Sequence, residues 1–477
     1  MGNKERIYAD VMAINSEVTG SCNLVSVRLP IPDKKESTVM FVVDCGLFQE
    51  PKHNSLNEEK LPFTAEDVNF CLVTHNHVDH TGRLPYLVKN GYGKKIYATE
   101  ATCKLLPYAL KDSFKVLNDN AKRNNGKCIY REQHVDETLK LLVPCKYNEP
   151  VYVHPNIKVT FLTNGHLVGA ALILVQIFYE GCETINLIFT GDYNNKNMFF
   201  DVQRIPKWIL DLPITIIQES TYGNMDTTEI VKSFENNILN CVNNGGEALV
   251  MVFSLGRAQE IMYELRRMQK SGQLDLKIPI FIDGNLAIKY TNLYINDDEL
   301  NLRLDMREFL PLNYHFVDKA IREFVLFGRE NKIILTTSGM GSYGPAQTYI
   351  PEYIKRDNAL IQFTGYTAEG TLGNYLKKAE IGDILEIGGM CVEKRAKVEY
   401  TTEYSAHAKA DEMINFLSQF SNLKCVLLNH GEEKTKNVFK DRIIRELDPK
   451  NVEILDRDHY FRINPYGLSK AFYSKSR

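Results

Sequence analysis

At 477 residues, with 44% hydrophobic and 25% charged residues, the chain is long enough for two or three domains and has the make-up of an ordinary soluble protein. Its net charge of −3 gives no global sign of a nucleic-acid partner, no apolar run approaches the roughly 18 residues of a membrane helix, and the start "MGNKERIYADVMAI" lacks the apolar core of a secretory signal. The ten cysteines are scattered without a C-x-x-C pair, which excludes a zinc finger or disulfide framework and predicts reduced, mostly buried thiols in a cytoplasmic protein without membrane contact.

In chain order, "NLVSVRLP", "TVMFVVDCG", "VNFCLVTH", "KIYATE", "IKVTFLTNGH", "AALILVQIFYE" and "TINLIFTGD" read as short strands separated by turns. Several are apolar throughout, as strands covered on both faces are. A helix is predicted over "GRLPYLVKNG", ending at Gly91, and residues 101–142 read as helical around a polar stretch, "NDNAKRNNGK", expected as an exposed turn. From about residue 225 the rhythm lengthens. "EALVMVF" leads into the helix "SLGRAQEIMYELRRMQKSG", with apolar positions at Ile261, Met262, Leu265 and Met268. "KIPIFIDG", "NKIILTTSGM" and "NALIQFTGY" are strands followed by glycine-containing turns, the last preceding "TAEGTLGNYLKK". That alternation predicts a parallel sheet flanked by helices, a second α/β domain. The chain closes on a helix ("DEMINFLSQF"), a strand ("KCVLLNHG") and a helix ("KTKNVFKDRIIREL").

The stretch "LVTHNHVDHTGRLP" places His75, His77, Asp79 and His80 within six positions, in a chain with eleven histidines. Imidazole and carboxylate are the usual ligands of zinc and neighbouring divalent metals in hydrolases. Where a strand end turns into a helix, His75 and His77 can face one metal while Asp79 and His80 face a second. Other strand ends carry His166 ("VTFLTNGH"), Asp192 ("INLIFTGD"), His430 ("CVLLNHGE") and Asp44 ("FVVDCG"). Any one of these alone reads as an ordinary strand-to-loop residue; beside the cluster they read as the remainder of a metal site. His53, His134, His154, His315 and His459 match no such pattern and are expected in surface or core roles.

"DCG", "THNHVDHTG", "NGHLVGA" and "TGDYN" resemble the four successive motifs of the metallo-β-lactamase fold. "QESTYGN", "TTSGM", "GYTAEGTLG", "YSAHA" and "LLNHGE" are similar to those of the β-CASP nucleases within that superfamily, the group of the pre-mRNA 3′-end-processing endonuclease and its bacterial and archaeal relatives. The resemblance runs from about residue 10 to 460 in the family's motif order. It implies an α/β protein: a metallo-β-lactamase αββα sandwich from residues 1–210 and 394–477, with a β-CASP cap domain inserted over 211–393. It further implies two Zn2+. His75, His77 and His166 would hold one and Asp79, His80 and His430 the other, with Asp192 bridging. Asp44 would act from behind, holding a ligand histidine by its other ring nitrogen. Glu219 and His407 match the group's acid–histidine pair; His407, kept protonated by Glu219, would protonate the leaving oxygen.

By the same resemblance, a histidine at the position of His430 points to single-stranded RNA as substrate, in a groove beneath the cap. Ser338 and Gly339 in "TTSGMGSYG", and Ser405 in "YSAHA", are the expected substrate contacts, since glycine-rich turns let backbone amides approach phosphates. Lys94, Lys95, Arg257 and Lys409 could touch phosphates, although a solvated surface is the simpler expectation for each. Asn164 stands in "TNGH" where the family has Ala, Ala170 where Ser is common, and "ESTYGNMD" lacks the Arg and His that often follow. Two other readings stay open: a small-molecule metallohydrolase of lactonase or thioesterase type, and a catalytically silent RNA-binding subunit. Endonuclease or 5′-exonuclease action, and a homodimer, are open too.

Overall fold

Period-two alternation feeds two cores from the central sandwich strands. In Ala171–Ile177, Ala171, Ile173, Val175 and Ile177 enter one buried cluster and Leu172 and Leu174 another. In Lys34–Val43, Phe41 and Val43 join the first cluster while Val42 enters a third. The shared cluster lies between two sheets; the outer two lie under helices. The computed structural model in which these contacts occur describes residues 7–473 except 32–33, 50, 124, 301, 307, 366 and 368. Met1–Arg6 of the opening segment, Asn124 of "NDNAKRNNGK", and Tyr366 and Ala368 of "GYTAEGTLG" therefore lie outside the described residues.

Among the described residues, the strands form sheets of eight, seven and six strands and one two-stranded hairpin. The first two sheets face each other through Val25, Val27, Phe70 and Leu72 on one side and Phe161, Leu187, Ile217 and Leu427 on the other. The helices Leu84–Lys89 and Glu100–Arg123 cover the outer face of the eight-stranded sheet, and Ala410–Leu417 and Glu433–Leu447 that of the seven-stranded sheet. This is an αββα sandwich. The six-stranded sheet is parallel at every pairing. Ala248 and Val250 pack on one face against the helix Arg257–Lys270, and Leu249 and Met251 on the other against Ala346–Tyr353, giving a three-layer α/β unit.

Several elements differ from the sequence reading. The strand Ile214–Glu219, placed by sequence with the inserted unit, pairs in parallel with Ile185–Phe189 and Leu423–Asn429 in the seven-stranded sheet. Lys397–Tyr400, placed with the sandwich, pairs with Ala359–Phe363 in the six-stranded sheet. A six-residue buried strand looks the same in either sheet, so composition does not locate it. The helix Glu100–Arg123 runs on through half of "NDNAKRNNGK" and stops where Asn125 takes φ 52° and the Gly126 amide donates to Ala121 O at 2.8 Å. All ten cysteines are free, and Cys391 is the exposed one. Among the described residues, no helix is long and apolar enough to cross a membrane.

Strand direction is what assembles the site. Ile157–Thr163 and Ile185–Phe189 both run antiparallel to Ala171–Ile177, and Ile214–Glu219 and Leu423–Asn429 run parallel to Ile185–Phe189. Their four C-terminal ends therefore share one edge and deliver His166, Asp192, Glu219 and His430 to it. In the facing sheet the parallel strands Lys34–Val43 and Val68–Leu72 end at Asp44 and, three residues on, His75.

Candidate metal centre

Each loop at this edge turns under local constraint. Asp44 sits at φ 62° and His430 at φ 49°, left-handed conformations that L-residues take at a cost and that cluster at functional sites. Gly46 lets the backbone close on the opposite loop, because a Cβ there would stand 1.6 Å from Asp79 O. His77 precedes the short helix Val78–Thr81, whose first turn carries Asp79 and His80.

Asp44 orients His80. Its carboxylate accepts from the Thr74 amide (2.8 Å), the Thr74 hydroxyl (2.7 Å) and His80 Nδ1–H (2.8 Å). Because the Thr74 hydroxyl donates to Asp44, it accepts from His75 Nδ1–H at 3.0 Å. His166 Nδ1–H donates to Ala406 O at 3.0 Å. Three histidines thus have their outer nitrogens occupied and turn Nε2 inward. The three Nε2 atoms converge on Asp192: His75 and His166 Nε2 each lie 3.6 Å from Oδ2, and His80 Nε2 lies 3.1 Å from Oδ1.

The lone pairs of His75 and His166 aimed at a carboxylate repel it unless a cation lies among them. Burial holds His75 and His166 well below the ordinary imidazole range, so both rings are neutral and able to ligate a metal. Among the described residues His75 Nε2 has no hydrogen-bond partner despite full burial, and Asp192 Oδ1 meets the ring nitrogens of His80 and His430. His77 Nδ1 stands 3.2 Å from His166 Nε2, and His80 Nε2 3.2 Å from His430 Nε2. Two nitrogens bound to one tetrahedral zinc stand roughly 3.3 Å apart, given zinc–nitrogen bonds of about 2.0–2.1 Å. Donor type, burial, an orphaned nitrogen and spacing all fit a divalent metal.

The donors fall into groups whose ligand atoms lie within 4.8 Å of one another: His75, His77, His166 and Asp192; and Asp79, His80, Asp192 and His430. Asp192 belongs to both, with Oδ2 turned to the first and Oδ1 to the second, where His430 Nδ1 lies 3.2 Å away. Asp79 Oδ2 is 3.9 Å from His430 Nε2. Burial opposes charge on His80, yet Asp192 and Asp44 outweigh it and raise its pKa well above the usual range, so the metal-free protein holds a proton there that a metal must displace.

A third group joins Asp192 to Glu219 and His407. His407 Nδ1–H donates to Glu219 at 2.9 Å, and Nε2 faces Asp192 Oδ2 at 3.9 Å. Burial works against charge on His407, but the Glu219 and Asp192 carboxylates prevail and raise its pKa. Glu219 is fixed by the Tyr193 amide (2.6 Å) and the Thr221 amide (3.2 Å).

The residues expected to contact substrate also make contacts within the protein. Ser338 exchanges hydrogen bonds with Tyr343 within its own turn, and Gly339 lies against the Phe253 ring, where a Cβ would come within 2.7 Å. Ser405 ties the backbone of His407 through its hydroxyl. Lys94 and Lys95 are exposed, but Arg257 and Lys409 are buried, against the expectation of a solvated surface. Arg257 is held by Glu260 at 2.9 Å and by Thr364 O.

Two asparagines matter more than their sequence context suggests. Asn76, between two of the clustered histidines, donates to Tyr290 OH (3.0 Å) on the helix Asn285–Asn296 of the inserted unit. Asn164 uses its whole amide: Nδ2 donates to Thr190 O (3.0 Å) and Asp192 O (2.6 Å), and Oδ1 accepts from the His166 amide (2.9 Å) and the Asn194 amide (3.2 Å). It knots the loops bearing His166 and Asp192. Its only signal in sequence is that it departs from the family pattern. Asn164→Ala should lower metal affinity by about 10–100-fold, as loss of groups supporting metal ligands does; zinc titration with a competing chelator measures it, and unchanged affinity would remove Asn164 from the site.

Three family descriptions match the chain: a metallo-β-lactamase superfamily domain over residues 35–201, a Beta-Casp domain over 258–376, and a Zn-dependent metallo-hydrolase RNA specificity domain over 392–455. Among similar proteins, a transcription termination factor, FttA, of Methanosarcina mazei is 29% identical over 440 residues, covering 88% of this chain and 66% of its own length. A ribonuclease of Thermus thermophilus is 28% identical over 407 residues, 82% of this chain and 88% of its own. The cleavage and polyadenylation specificity factor subunit 3-II of Arabidopsis thaliana is 26% identical over 456 residues, 92% and 70% respectively. The chain spans about two thirds of the termination factors it matches, 66% in Methanosarcina mazei and 62% in Cenarchaeum symbiosum.

Proposed function

The chain belongs to the β-CASP group of the metallo-β-lactamase superfamily, and on that premise we propose that it is a zinc-dependent ribonuclease. Its substrate is single-stranded RNA, lying in the cleft between sandwich and cap, and it acts in the cytoplasm. In this reading the cap runs from after Glu219 to Tyr400, because the sheet pairings of Ile214–Glu219 and Lys397–Tyr400 support that division.

The observation that carries the reading is Asp192, whose two carboxylate oxygens face two histidine groups while the Glu219–His407 pair stands beside it. His75, His77, His166 and Asp192 would hold one zinc, and Asp79, His80, His430 and Asp192 the other. Two bound zinc ions supply Lewis acidity toward a phosphoryl oxygen and activation of water near neutral pH. The chain's own residues do the rest. Asp44 and Thr74 fix the ring orientations of His80 and His75. His407 Nε2 hands a proton to the leaving oxygen, while Glu219 keeps Nδ1 occupied and stabilises the charged ring. The sequence relationship to a named ribonuclease and to a match described as an RNA specificity domain supports RNA as the polymer.

The test is metal analysis combined with digestion of one RNA labelled at either end, with a matched DNA control. Two zinc ions per chain and RNA cleavage, lost to background on chelation and restored by zinc, are expected. Mononucleotides released only from the 5′ end identify an exonuclease, and internal fragments an endonuclease. Hydrolysis of a chromogenic lactam or thioester with RNA left intact would overturn the reading in favour of a small-molecule hydrolase. Tight RNA binding without a cut would make the chain a silent subunit.

A further inference from the structure

Lys409, two residues beyond His407, is only 2% exposed, and among the described residues its Nζ has no hydrogen-bond partner. The ammonium rests on the face of Tyr222, 3.3 Å from the ring centroid, and that ring lies 6.1 Å from the ring of His407. Nearby carboxylates are committed elsewhere. Glu412 accepts from Lys196 Nζ (3.1 Å) through one oxygen and from the Lys409 amide (3.0 Å) through the other. Glu219 is taken by His407, Tyr193 and Thr221. A buried cation with no oxygen to bind is costly to the fold. Its position beside the proton donor suggests what compensates.

We propose that Lys409 is a phosphate-binding residue, taking a non-bridging oxygen of the RNA phosphate next to the scissile one on the leaving-group side. The proposal rests on the ribonuclease reading and deepens it. The scissile phosphate belongs at Asp192, and the leaving oxygen at His407 Nε2. Lys409 Nζ is joined to His407 through Tyr222, whose ring it touches at 3.3 Å and whose centroid stands 6.1 Å from that of His407, so a strand continuing from the leaving oxygen comes within reach of its ammonium. The four-carbon stem lets Nζ leave the ring face by bond rotation while the stem stays packed. Burial pulls the pKa of Lys409 down to about 8, so the group is still mostly charged at neutral pH.

The experiment compares wild type with Lys409→Met on a fluorescent single-stranded RNA across a salt series, alongside thermal unfolding and metal analysis. A methionine keeps the stem and removes the charge. The expected result is kcat/KM about tenfold lower, chiefly through KM, as for loss of a hydrogen bond to a charged group. The slope of log KM on log salt should shrink by about 0.7, one phosphate contact on a single strand. Metal content should hold and Tm should be equal or higher, since an unpaired buried charge is gone. An unchanged KM and salt slope overturns the proposal. So does a lower Tm with the slope intact, which makes Lys409 a structural prop for Tyr222. Lys409→Gln repeats the measurement if the methionine variant does not fold. A wild-type chain that leaves RNA intact overturns the ribonuclease reading and this proposal together, whereas a wild type that cuts RNA beside an indistinguishable variant overturns the proposal alone.

Discussion

With two zinc ions held as proposed, Asp192→Ala is expected to leave a folded chain that keeps about one of them and turns over RNA about 10^3–10^4-fold more slowly. The carboxylate is the single side chain common to all three donor groups, with Oδ2 serving His75 and His166 and Oδ1 serving His80 and His430. Its removal leaves His75, His77 and His166, a set of three imidazoles that suffices for one metal. The other group keeps Asp79, His80 and His430, but Asp79 stands 3.9 Å from His430 and closes the group loosely. That second metal should leave first. The rate estimate follows from several kcal/mol of transition-state stabilisation that metal polarisation supplies. Burial penalises the charge of Asp192, yet His430, His80 and His407 hold its carboxyl well below the usual range, so the metal-free protein uses it as a counter-ion. Asp44 stays in place to pair with His80, which is why the fold should survive. Zinc content by mass spectrometry and unfolding by circular dichroism check both halves. Full turnover with one zinc would reduce the mechanism to a single metal.

How far this site can be read in advance depends on which interactions are local. The sandwich strands are legible because runs such as "AALILV" and "INLIF" are buried on both faces and carry no polar interruption. The strand Tyr8–Asn15 is not, because Asp10 interrupts it, and Asp is depleted in strands. Its partner, Arg462, holds both carboxylate oxygens at 2.7 Å from the other end of the chain, on a terminal hairpin (His459–Asn464 and Gly467–Tyr473) whose half-exposed pattern also escapes a hydrophobicity search. The clustered histidines and the aspartates are legible because each stands at a strand end. Their grouping around Asp192 depends on strand direction in the seven-stranded sheet, and nothing local encodes it. Asn164 reads as a departure from pattern until the four backbone groups it satisfies are brought together. Lys409 and Arg257 read as surface charges, because burial of a lysine or arginine is decided by what packs over it.

His407→Ala should lower turnover on RNA by about 10^2–10^4-fold, the usual worth of a general acid, with zinc content unchanged. The geometry separates His407 from the ligand groups. Its Nδ1 is committed to Glu219 at 2.9 Å, and its Nε2 lies 3.9 Å from Asp192 Oδ2, farther than the 3.1–3.6 Å of the inward-facing nitrogens of His75, His80 and His166. It also keeps a fifth of its side chain exposed where those three are nearly sealed, as a group that must meet substrate requires. The decisive arm is a change of leaving group. A nitrophenyl phosphodiester releases its leaving group as nitrophenolate, a stable anion that needs no proton, so on that substrate His407→Ala should approach wild-type turnover while remaining crippled on RNA. Glu219→Gln keeps an acceptor for Nδ1–H but withdraws the charge that stabilises the imidazolium, and should fall between the two on RNA. Loss of zinc in step with loss of activity would instead put His407 among the metal ligands, where the third donor group with Asp192 and Glu219 offers it a place. An equal defect on both substrates with zinc retained would leave His407 a substrate-positioning residue, and the proton would have to come from elsewhere.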